Sequence, residues 1–94
     1  MSAQFDEVVH APQRLRICAF LAATSSTEFA VLRDLLGVAD SVLSKHLKVL
    51  QESGYLTVDK PTGRGRVKTW VQLTPEGRGA YQGHVAALKN LIDL

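Results

Sequence analysis

The hydrophobic pattern changes its period at Gly54. Before it, Leu43, Leu47 and Leu50 fall at i, i+4 and i+7, a spacing that gathers side chains on one helical face. After it, Tyr55-Leu56-Thr57-Val58-Asp59-Lys60 and Arg66-Val67-Lys68-Thr69-Trp70-Val71-Gln72-Leu73 both alternate, as half-buried strands do. Pro61-Thr62-Gly63-Arg64-Gly65 between them is turn-rich. A helix that stops at a glycine and passes straight into a β-hairpin leaves few architectures open. The helix is expected from about Asp40 to Ser53, with Asp40 as its N-cap or first-turn acid and Gly54 as its stop.

The remaining elements fit around this core. Pro12 opens a helix to about Thr24 whose apolar residues Leu15, Ile17, Cys18, Leu21 and Ala22 cover about half of its surface, so it needs neighbours on more than one side. Ser25-Ser26-Thr27 breaks it. A short helix follows over Glu28 to Leu36, preceded by a strand of one or two residues at Thr27–Phe29, and Gly37-Val38-Ala39 leads into the third helix. Thr74-Pro75 reads as N-cap and first position of a last helix. Its apolar seam runs through Tyr81, His84, Val85, Leu88, Leu91 and Ile92. Gly77, Gly79 and Gly83 weaken that helix by roughly 1 kcal/mol each relative to alanine, unless close packing requires them. The expected fold is mainly α with a small β-hairpin, and the 94 residues form a single domain.

Net charge is only +2, but it is unevenly spread. Residues 1–43 carry three arginines against five carboxylates, and residues 69–94 balance. Residues 44–68 carry Lys45, Lys48, Lys60, Arg64, Arg66 and Lys68 against Glu52 and Asp59, a net of +4 within 25 residues. A charge run by itself is usually a solvated face. Here it covers the outer side of one helix and the tip of a hairpin.

The order helix, short helix, turn, helix, hairpin, helix is a winged helix-turn-helix, and at this point the chain resembles small regulators of the ArsR/MarR-like superfamily. The segment Leu43-Ser44-Lys45-His46-Leu47-Lys48-Val49-Leu50-Gln51-Glu52-Ser53-Gly54-Tyr55-Leu56 is similar to their recognition helix running into the wing. Leu73-Thr74-Pro75-Glu76-Gly77-Arg78 is similar to the segment leaving it. The resemblance spans about residues 8–90 and looks most like the short stand-alone regulators of archaea and bacteria. It implies a prokaryotic, nucleoid-associated transcription regulator; the single cysteine favours a reducing cytoplasm, and a chain this small, with little room for a separate activation surface, favours a repressor over an activator.

Physical chemistry supports the same residues. A helix entering the major groove needs a buried apolar side and an outer side of short polar and basic groups. Ser41 and Ser44 approach phosphates or base edges without bulk, and Lys45 and Lys48 neutralise phosphate or reach guanine acceptors. Arg64, between two glycines, extends toward the minor groove, while Arg66 and Lys68 hold the backbone. The seam of the last helix is longer than one small core needs. Phe5, Val8 and Val9 with Tyr81, His84, Val85, Leu88, Leu91 and Ile92 are therefore expected to form a homodimer interface, drawn from residues 5–11 and 75–94. A two-fold dimer presents its recognition helices ~34 Å apart.

Other readings are narrower. A winged-helix protein-interaction module would turn its basic wing to an acidic partner, and an architectural DNA binder would ignore sequence. His46 is read as a packing or hydrogen-bonding residue, Trp70 as packing between hairpin and helix, and Arg14 and Arg16 as backbone contacts or partners of Asp6 or Glu7. Cys18 is the one cysteine, expected to be a buried, unreactive thiol. The chain has no P-loop spacing, His-Glu-x-x-His pattern or nucleophile elbow. No metal, cofactor or enzymatic activity is expected, and no residue pattern identifies an effector. No apolar run reaches the ~18 residues of a membrane span, and no signal peptide is visible.

Overall fold

The computed structural model describes residues 3–60 and 68–93. The elements are α1 (Glu7–His10), α2 (Pro12–Ala22), β1 (Thr27–Glu28), α3 (Phe29–Leu36), α4 (Asp40–Glu52), β2 (Leu56–Asp59), β3 (Trp70–Leu73) and α5 (Pro75–Ile92). This is the expected winged helix-turn-helix, with one addition: α1, a single turn capped by Asp6, whose carboxylate accepts the Val9 amide at 3.0 Å. The short strand expected at Thr27–Phe29 is β1, and it joins the hairpin as a third strand of the sheet.

The three strands run antiparallel in the order β1-β3-β2. Leu56 faces Leu73 and Val58 faces Val71 across β2 and β3, so one sheet face joins the core. Trp70 has the opposite phase. It pairs with Glu28 on one side and Asp59 on the other and remains 36% exposed, which corrects the expectation that it packs between hairpin and helix.

The core is one cluster in which α2 is central. Val9, Ile17, Cys18, Leu21, Leu32, Leu43, Leu50, Leu56 and Val71 are almost fully buried. α2 touches α1, α3, α4, α5 and β3, as its wide apolar stripe requires. Its C-terminal end is held from α5, where the Arg78 guanidinium donates to the Ala22 carbonyl at 2.7 Å.

The junction between α4 and β2 sets the position of everything beyond it. Gly54 adopts φ of 78°, a left-handed conformation that ends a helix cheaply only with glycine. The Tyr55 amide then donates back to Leu50, while the Tyr55 carbonyl accepts from Thr74 at the start of α5. Thr74 caps α5, its hydroxyl accepting the Gly77 amide at 2.9 Å and donating to the Gly54 carbonyl at 2.7 Å.

Candidate nucleic-acid interface

Leu43, Leu47 and Leu50 turn inward from α4 and are at most 4% exposed. The same helical period turns Ser41, Ser44, Lys45 and Lys48 to solvent. The first turn of α4 is tied to α3: Arg33 on α3 donates to Asp40 at 3.0 Å and to Asp34 at 3.1 Å. Asp40 is thus a first-turn acid, and Ala39 is the N-cap. Among the described residues, neither Lys45 nor Lys48 forms a salt bridge.

The outer side of α4 borders a cleft of about 440 Å³. Ser44, Lys48 and Gln51 line it from the helix, Val58, Lys60 and Thr69 from the strand side, with Phe29 and Leu47 in the lining as well. Helix and hairpin therefore present cationic groups to one concavity. Gln51, Lys60 and Thr69 were not singled out from sequence. For Lys60 the signal was available, because it ends an alternating strand and opens the basic loop.

Of the three basic wing residues, Arg64 and Arg66 lie outside the described residues. Lys68 is exposed, and its ammonium sits 3.6 Å from the Glu28 carboxylate, which offsets part of its charge. Among the described residues neither Arg14 nor Arg16 pairs with Asp6 or Glu7. Arg14 donates to the Val8 carbonyl and reaches the Nδ1 of His46 at 3.4 Å, and Arg16 reaches Gln13 and the Leu35 carbonyl. Burial, then the Arg14 and Lys45 charges, hold His46 below the usual imidazole range. Nδ1 of a neutral His46 ring accepts a hydrogen bond from the Arg14 guanidinium and links α2 to α4. The Cys18 thiol is fully buried, and that burial pushes its pKa up to about 11.

The nine residues expected at a subunit interface divide by burial. Val9 and His84 are buried within the chain, so they support the surface from beneath and do not line it. Val9 is enclosed because α1 folds against α2 and α5. His84 is covered by the N-terminal segment, whose Asp6 amide donates to its Nδ1 at 2.9 Å. Val8, Tyr81, Val85 and Leu88 are half-buried. Phe5, Leu91 and Ile92 are 42%, 60% and 76% exposed. Among the described residues no helix is long and apolar enough to cross a membrane.

Comparison with known proteins gives a consistent answer. Residues 13–92 match the family model described as a winged helix DNA-binding domain. An uncharacterized protein of Methanocaldococcus jannaschii is 35% identical over 78 residues, 83% of this chain and 85% of that protein. The structure of a transcriptional regulator homologue from Pyrococcus horikoshii superposes with a TM-score of 0.88 at 26% identity, over 94% of this chain and 87% of that one. The YusO protein of Bacillus subtilis shares the fold at a TM-score of 0.79 and 20% identity, over 93% of this chain and 61% of the other.

Proposed function

The chain belongs to the winged helix DNA-binding domain family, and we propose that it is a sequence-specific, double-stranded-DNA-binding transcriptional repressor that acts as a homodimer. α4 enters the major groove. Ser41 and Ser44 approach the base edges and nearby phosphates, and Lys45 and Lys48 bind phosphate or guanine acceptors. Arg64 of the basic loop reaches the adjacent minor groove, and Arg66 and Lys68 hold the backbone. Lys60 adds a phosphate contact at the base of the wing. Repression follows from occupancy of promoter DNA in the prokaryotic cytoplasm.

The observation that carries this reading is the exposed Ser41, Ser44, Lys45 and Lys48 face, which borders the same cleft as Lys60. Dimerisation is supported by Phe5, Leu91 and Ile92, large apolar side chains left exposed near one end of α5 or on the segment packed against it. Two-fold pairing through that surface covers them and sets two copies of α4 about one DNA turn apart.

Gel-shift titration over a series of salt concentrations tests the proposal. The regulator binds random duplex with steep salt dependence and binds a selected palindrome more tightly. Equal affinity for all sequences would indicate an architectural protein, and no duplex binding at low salt a protein-interaction module. For the dimer, Leu91→Glu with Ile92→Glu sediments as monomer and loses the palindrome preference. An unchanged sedimentation coefficient refutes the interface.

A further inference from the structure

The N-terminal segment lies across α5 and is fastened by unusual chemistry. The Gln4 amide donates to the Gly83 carbonyl at 3.0 Å, and the Asp6 amide donates to Nδ1 of His84 at 2.9 Å. The Nε2 of His84 lies 3.1 Å from the Nδ1 of His10. The Phe5 ring packs against both imidazoles, with centroids 4.7 Å from each.

The proton positions follow from the bonding. An amide N–H can only donate, so Nδ1 of His84 holds a lone pair. The neutral ring then carries its proton on Nε2, which donates to Nδ1 of His10. Every nitrogen between the Asp6 amide and His10 is thereby assigned, and an added proton has no vacant acceptor along this chain. Placed on His84 Nδ1, it meets the Asp6 N–H. Placed on His10 Nδ1, it meets the His84 N–H, unless the His84 tautomer flips and the Asp6 bond is lost.

We propose that residues 4–6 form a proton-released strap, closed over α5 while Nδ1 of His84 accepts the Asp6 amide and opened when the His84 ring takes up a proton. Few charges nearby counter this. Burial, then the neighbouring His10, hold the His84 ring below its ordinary range, against the weaker opposing pull of Asp6. The Asp6 carboxylate is itself engaged by the Tyr55 hydroxyl and the Val9 amide. On the Asp6 side of the network, Cys18 and Arg14 face it from α2, and Tyr55 is approached by Glu76 at the start of α5. Opening frees Phe5, so acid weakens the dimer; that consequence alone rests on the dimeric reading above.

Amide hydrogen exchange between pH 7.5 and 5, corrected for intrinsic rates, tests the strap. The Gln4 and Asp6 amides lose protection by about tenfold per pH unit below the titration of His84 in the opened state, as uptake of one proton on opening requires. The Leu43 and Leu50 amides keep theirs. The His84 ring resonances titrate in step with the Asp6 amide. In His84→Asn, whose side-chain oxygen takes the place of Nδ1 without titrating, Asp6 protection becomes independent of pH. Wild-type Gln4 and Asp6 amides whose protection does not change across this range overturn the proposal, whatever the oligomeric state or DNA affinity.

Discussion

Gly77 lies so close to Tyr55 that a Cβ at position 77 would fall 1.9 Å from the Tyr55 carbonyl oxygen. The contact joins the first turn of α5 to the junction at which α4 becomes β2.

Glycine inside a helix ordinarily costs about 1 kcal/mol relative to alanine. Gly77→Ala nevertheless destabilises the protein, by about 1–3 kcal/mol, because backbone must move to admit the methyl group. Gly79 has no heavy atom within 4 Å of where its Cβ would be, and Gly79→Ala stabilises by about 0.5–1 kcal/mol. Urea denaturation of the two variants gives shifts of opposite sign.

Stability falls on acidification from neutral pH. His46 and His84 both titrate below the usual imidazole value in the folded chain. At pH below about 6.5 the unfolded chain therefore binds more protons than the folded one. Their contribution is complete above that pH and declines as pH drops toward the folded values. Urea midpoints at pH 7.5 and 5.5 check this, the lower midpoint belonging to pH 5.5.

Lys48 and Lys68 respond differently to truncation. Lys48→Ala reduces the slope of log affinity against log salt by about one on random duplex. Lys68 already has the Glu28 carboxylate at 3.6 Å, so Lys68→Ala changes the slope less. A Lys48→Ala slope equal to that of the unsubstituted protein would remove Lys48 from the phosphate contacts.

Cys18 resists thiol reagents. With its thiol at 0% exposure and its pKa pushed up to about 11, native protein at pH 8 reacts at the rate at which it opens. Labelling becomes complete within the reagent's ordinary reaction time only in denaturant.

Much of this architecture was legible because local signals agreed. The Leu43, Leu47 and Leu50 period, the Gly54 stop and the Thr74-Pro75 start each fix an element through its own residues. Other features depended on distant partners. α1 is a single turn of four residues, too short for periodicity to reveal, and it is held by Asp6 and by packing on α2 and α5. The phase of β3 was ambiguous because Trp70, Val71 and Leu73 are all apolar; pairing with β2 sends Val71 inward and Trp70 out. Val9 and His84 belong to apolar patterns that a core and an interface share, and only the N-terminal segment lying over α5 distinguishes the two. On α4 the exposed polar face followed from the buried stripe, whereas Lys60 joined it only through the folding of the hairpin.

The Tyr55 hydroxyl bonds to Asp6 while its backbone bonds to Leu50 and Thr74. One aromatic side chain thus spans from the C-terminal end of α4 to the root of the N-terminal segment. The N-terminal segment and α4 therefore share one anchor, and Tyr55→Phe removes the side-chain half of it while leaving the backbone half in place.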